Sequence, residues 1–125
     1  MSKNGKTPKS LEQLKAELEE CRSRRVRLLK DREIQEKRMH RRDKKAVMAH
    51  REIERLKNSS KATLDFEYIN ELQEVYRSKL EDASASHRKF DEINRELKRV
   101  KSKIHQLSFD IKSLENSKKS EDPES

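Results

Sequence analysis

Apolar residues recur along most of this chain at alternating intervals of three and four, the spacing of a helical seam and not of a strand. With Leu11 placed at the a position of a heptad, the a series reads Leu11, Leu18, Arg25, Arg32, Met39, Ala46, Ile53. The d series reads Leu14, Cys21, Leu28, Gln35, Arg42, Ala49, Leu56. Ten of these fourteen positions are apolar, counting Cys and Ala, and the register does not slip. The pattern predicts a helix over residues 10–57, about 70 Å long at 1.5 Å per residue.

A second register starts at Ile69. Its a series is Ile69, Tyr76, Ala83, Phe90, Leu97, Ile104, Ile111, and its d series is Leu72, Lys79, Ser86, Ile93, Val100, Leu107, Leu114. Twelve of fourteen are apolar, so this is the stronger helix, predicted over residues 61–116. Sixteen residues separate Ile53 from Ile69, which is not a multiple of seven, so the registers do not join. The break falls on Lys57-Asn58-Ser59-Ser60-Lys61. Asn58 suits a left-handed helix end and either serine can cap the next helix, which predicts a turn at residues 58–60. Two helices joined by so short a turn form an αα-hairpin.

Charge pairing across the seam predicts the register. With the turn centred on Ser59, facing core residues have numbers summing to about 118. Leu18 then meets Val100, Ala46 meets Leu72, Arg32 lies by Ser86, and Gln35 lies by Ala83. The flanking pairs become Glu17 with Lys103, Arg24 with Glu96, Asp31 with Lys89, and Arg38 with Asp82, all opposite in sign. Sliding one heptad makes all four alike in sign, and at about 0.2–1 kcal/mol per exposed pair four reversals together select a register. A parallel in-register dimer would instead stack Arg25, Arg32 and Arg42 against their own copies, which is costly. The expected fold is therefore all-α, a long antiparallel coiled-coil hairpin, with residues 1–9 and 117–125 as loose tails. In the tight register Ile111 and Leu114 overhang the end of the first helix.

Composition agrees with a seam and not a round core. Apolar residues make up 30% of the chain and charged residues 45%, against about 45–50% and 25% in ordinary domains. One glycine, Gly5, and two prolines, Pro8 and Pro123, leave the interior without a strong breaker. Cys21 is the sole cysteine, so no internal disulfide forms. The scattered histidines His40, His50, His87 and His105 suggest no metal site. With no glycine loop for phosphate and no pocket to shift a pKa, neither a cofactor nor an enzyme activity is expected. No apolar run reaches the length of a membrane span or a signal-peptide core, which points to an intracellular protein, cytoplasmic or nuclear.

Two features suggest function. Residues 22–45 hold twelve Lys/Arg and four Asp/Glu, a net of +8 that equals the net charge of the whole chain. This concentration would draw phosphates or an acidic partner, the candidate contacts being Arg22, Arg24, Arg27, Lys30, Lys37, Arg38, Arg41, Arg42, Lys44 and Lys45. They occupy several heptad positions and so ring the helix, and no aromatic lies among them to stack on a base. The second feature is apolar residues off the seam: Val26 and Val47 at b, Ile34 and Met48 at c, Phe109 at f, Phe66, Leu29 and Leu80 at e, Val75 at g. Those at e and g widen the stripe, as contact with a further helix would require. Candidate partner contacts are Val75, Leu80, Phe109, Ile111 and Leu114. The expected function is that of a structural or adaptor protein acting through helix–helix contacts with a protein partner or as a dimer of hairpins. The alternative is DNA or RNA binding through the basic segment, without sequence preference.

Overall fold

A computed structural model describes residues 8–59 and 66–121, with side chains as far as Lys118. The described residues form two α-helices and no strand: α1, Leu11–Lys57, and α2, Phe66–Glu121. They pair as an antiparallel helical hairpin, as the heptads predict. None of the described helices is long and apolar enough to cross a membrane.

The start of α1 is fixed by reciprocal capping. Ser10 Oγ accepts a hydrogen bond from the Gln13 amide at 3.2 Å, and the Ser10 amide donates to Gln13 Oε1 at 2.8 Å. This is a capping box, which satisfies two amides that the first turn leaves without helical partners. At the other end the Asn58 amide still donates to the Glu54 carbonyl, and the Ser59 amide donates to that of Leu56, tightening the last turn. Residues 60–65, including the predicted helical start at 61–65, lie outside the described residues. The predicted loose end at 117–125 is corrected in part, because α2 continues to Glu121. Lys, Ser and Glu do not break a helix.

Burial follows the heptads closely. Every fully buried described residue is an a or d residue of the two series. Of all the seam positions only Arg25 is exposed; its long stem lets the guanidinium reach water from an inward position.

The molecule divides into two units, one joining the chain up to Leu29 with the chain from Arg95 onward, the other comprising Lys30–Asn94. In the first, Leu14, Leu18, Cys21, Val100, Leu107 and Ile111 form one buried cluster, with Leu11, Leu28, Ile104 and Leu114 packed on it. Ile111 and Leu114 therefore do not overhang. Lys15 pairs with Glu115 at 3.7 Å, where the tight register would set Lys15 near Lys103, so α2 lies about one heptad further along α1 than that register allows. Arg24 still pairs with Glu96, because two long side chains can lean toward each other along the seam. The carboxyl of Glu17 is held below its usual range, first by a hydrogen bond from Lys9 and further by the charges of Lys9 and Lys103, against an opposing desolvation effect.

The second unit shows the same displacement. Gln35 reaches Ser86, not Ala83, and Asp31–Lys89 and Arg38–Asp82 are not ion pairs. Ser86 is bracketed by Gln35 and Arg42, and Asp43 meets His87, a shift of about one heptad that keeps a opposite d.

Candidate helix-docking groove and basic face

Within the second unit the seam changes character around Ser86. Its side chain is almost completely enclosed, and Arg42 turns inward to donate to Ser86 Oγ at 2.6 Å and to the Asp82 carbonyl at 3.4 Å. Gln35, also buried, donates from Nε2 to the Ser86 carbonyl at 3.3 Å. A small hydroxyl at a d position leaves room for the long side chains that span from α1. The result is a polar layer in an otherwise apolar seam, with its donors directed at oxygens of α2.

Toward the hairpin turn the seam narrows to alanine. Ala46 and Ala83, both buried, fill little volume, and beside them opens a groove of about 450 Å³ lined by Asp43, Ala46, Val47, His50, Tyr76, Leu80 and Ala83. Val47 on α1 and Leu80 on α2 form its apolar rims and are 48% and 42% exposed. The His50 ring lies against Tyr76 with centroids 5.3 Å apart and planes inclined at 49°. At the other end His87 Nε2 lies 2.9 Å from both Asp43 oxygens. The carboxylates Glu36 and Glu54 sit on the same flank of α1, each near a histidine of its own helix at 3.7 Å. The groove is thus apolar at its centre and bordered by acidic groups. A shallow trough of this kind can receive a few side chains from a helix laid along it.

The structure separates the predicted contact residues. Leu80 lines the groove, whereas Val75, 45% exposed, does not; heptad position g puts it on the opposite flank from Leu80 at e. Phe109 is exposed in the first unit, where Leu114 is half-buried and Ile111 belongs to the core. Val47 stands out in the sequence as an apolar b residue, but its pairing with Leu80 depends on the two facing alanines. That signal is present in the heptads: Ala46 and Ala83 are both a residues, close together in the observed register.

The basic residues also sort themselves. In the first unit Arg22 pairs with Glu19 and Arg24 with Glu96, while Arg27 is exposed. In the second unit Lys30, Lys37, Arg38, Arg41, Lys44 and Lys45 are exposed, and of these only Lys37 makes an ion pair, with Glu33 at 3.6 Å. Arg42 is half-buried and directed into the seam, so it leaves the outer surface. A smaller cavity of about 180 Å³ in the first unit is walled by Glu17, Arg24, Glu96, Arg99 and Lys103, with Cys21 and Val100 among its lining. Among the described residues no cluster of His, Cys, Asp or Glu is arranged to hold a metal ion. Comparison with protein-family models, with curated proteins and with solved structures finds no match.

Proposed function

We infer that the chain is a coiled-coil adaptor that acts by binding and not by catalysis, holding a partner protein through a helix laid in the groove between Val47 and Leu80. The observation that carries this reading is the groove itself, where two small seam residues leave apolar rims half-exposed beside a buried core. Asp43 lines it, and Glu36 and Glu54 lie beyond its two ends on the same flank of α1. The matching partner helix carries a narrow apolar stripe flanked by Lys or Arg. A second copy docked groove to groove would bring these carboxylates together, which disfavours self-association at this site.

The rims supply most of the contact energy. Completing the burial of two half-exposed aliphatic side chains contributes about 1 kcal/mol each. Replacing both with aspartate, V47D/L80D, removes that contribution and leaves charge in the groove. Partner affinity should fall by at least about thirty-fold, with helicity unchanged by circular dichroism. The test compares proteins recovered with the wild-type and variant chains from the same cells, followed by titration of the recovered partner. Equal recovery and equal affinity would refute the reading.

A further inference from the structure

On α1 within the second unit, the c and f heptad positions in chain order are Lys30, Ile34, Lys37, Arg41, Lys44, Met48, Arg51 and Arg55. Six are cations, two are apolar and none is a carboxylate. All are exposed, and heptad positions c and f lie directly opposite the seam. Arg38 and Lys45, at g, widen the middle of the same arc and Asp31 and Glu52, also at g, bound its two ends, while the carboxylates Glu33, Glu36, Asp43 and Glu54 fall at b and e. The charge does not ring this part of α1, because Arg42 is drawn into the seam by Ser86 and the Asp82 carbonyl. What remains is a basic stripe from Lys30 to Arg55, about 37 Å long at 1.5 Å per residue. Lys30, Arg41, Lys44 and Arg51 make no ion pair, while Lys37 and Arg55 have carboxylate neighbours on their own helix.

We propose that this stripe is a binding site for the phosphate backbone of a nucleic-acid duplex, read without sequence preference. A protein interface draws its affinity from a dry apolar centre ringed by polar groups. The stripe has no such centre, since Ile34 and Met48 lie about 21 Å apart along the helix with three cations between them. Backbone phosphates need only a row of accessible cations, and binding gains from counterion release. The length of the stripe spans about one turn of B-form DNA. No aromatic side chain lies in it to stack on a base, so the site is one of charge and spacing. It lies on a different face from the Val47–Leu80 groove, so one chain can hold a protein and a nucleic acid together.

The site is tested with the full chain and fluorescently labelled DNA duplexes of two unrelated sequences, followed by anisotropy between 50 and 200 mM salt. Six phosphate contacts predict a logarithmic salt slope of about −5, or roughly a thousand-fold loss of affinity across that range. The two sequences should bind alike. The variant R41E/K44E/R51E should lose at least about a hundred-fold at the lowest salt while keeping its helicity and melting temperature. K98E/K101E/K112E, with the same change in net charge placed elsewhere, should lose less than about ten-fold. Absence of wild-type binding at the lowest salt would overturn the proposal, as would equal losses in the two triple variants. So would equal affinity for polyglutamate, which would mark an acidic protein as the partner. Self-association abolished by R41E/K44E/R51E, without duplex binding, would overturn the proposal and assign the stripe to exposed carboxylates of a second copy, such as Glu71, Glu74 and Glu81 of α2. Val47 is a helical neighbour of Lys44 and Arg51, so the separating variant is uncharged. V47S/L80S should lose the protein partner but bind the duplex like wild type, and this proposal and the groove reading fail separately.

Discussion

Replacing Gln35 with leucine should stabilise the hairpin, although Gln35 is among the most enclosed side chains and makes a hydrogen bond across the seam. That bond is long at 3.3 Å and neutral, worth about 0.5 kcal/mol at the low end of the usual range. Its acceptor, the Ser86 carbonyl, lies inside α2 and serves that helix's own ladder, so it is not orphaned when the amide is removed. Against this small loss stand two gains. Enclosing the amide with a single identified partner costs about 1–3 kcal/mol, which the substitution removes in part. A buried leucine contributes about 1.5–3 kcal/mol. Some of the gain is offset by repacking against Ser86, leaving a net stabilisation of about 1–2 kcal/mol. Urea unfolding followed by far-ultraviolet circular dichroism measures it, with an unchanged slope showing that the denatured state has not altered. A loss of more than about 1 kcal/mol would show that the amide contributes more than its geometry implies. The same variant tests what the polar layer does for register. With Cys21 changed to alanine, spin labels at positions 43 and 87 should give one short distance in the parent. They should give a broader distribution in the leucine variant, because a polar residue that penalises misaligned pairing has been removed.

The remaining predictions concern the apolar seam and its acidic flank. Ile53 is 3% exposed, and Ile53→Ala should destabilise by about 2–3 kcal/mol, the lower part of the range for large-to-small core changes because a two-helix seam can close partly over the gap. A loss below about 1 kcal/mol in urea would place Ile53 outside the working core. Glu17 has a pKa lowered from its model-compound value of 4.5, chiefly by its hydrogen bond from Lys9. Its stabilising contribution is therefore fully present above that value and disappears as pH falls through the lowered one. The melting-temperature difference between wild type and Glu17→Gln should be constant near neutrality and shrink on acidification below about pH 4.5; a difference that grows with acid would refute the assignment.

Much of the fold is legible in the heptads because the seam is the only apolar surface the chain can bury. Leu14, Leu18, Ile53, Ile69, Val100 and Leu107 had no competing solution. The first point to escape was the capping box, since Ser10 and Gln13 stand in plain view but a seam argument does not look at helix ends. The candidate groove was legible in half. Leu80 and Val47 are visible as apolar residues off the seam, but heptad letters cannot show that Val75 falls on the other flank of a paired helix until α1 is set against α2. The basic stripe was obscured by Arg42, a cation that its d position should have assigned to the interior from the start.

The register error has a different origin. Four charge pairs speak against a slide of one heptad, about 10 Å. The contacts nevertheless lie about that far from the tight register, because exposed pairs contribute little beside burial of Ile111 and Leu114 in the seam. Arg24 and Glu96 meet in spite of that shift because the two long side chains lean toward each other. Short side chains cannot do so, and they are the better gauge: Asp43 meets His87, and Ser86 lies between Gln35 and Arg42. The same small residues, Ser86 with Ala46 and Ala83, admit Arg42 to the seam and open the groove beside it. Enlarging them should therefore act on two properties at once. Ala83→Leu would fill the groove from within and press against Ala46, so a docked helix should be expelled even if the hairpin itself gains apolar contact. A chain made more stable by that change but unable to hold its partner would show that the narrow seam is kept for binding, at some expense in stability.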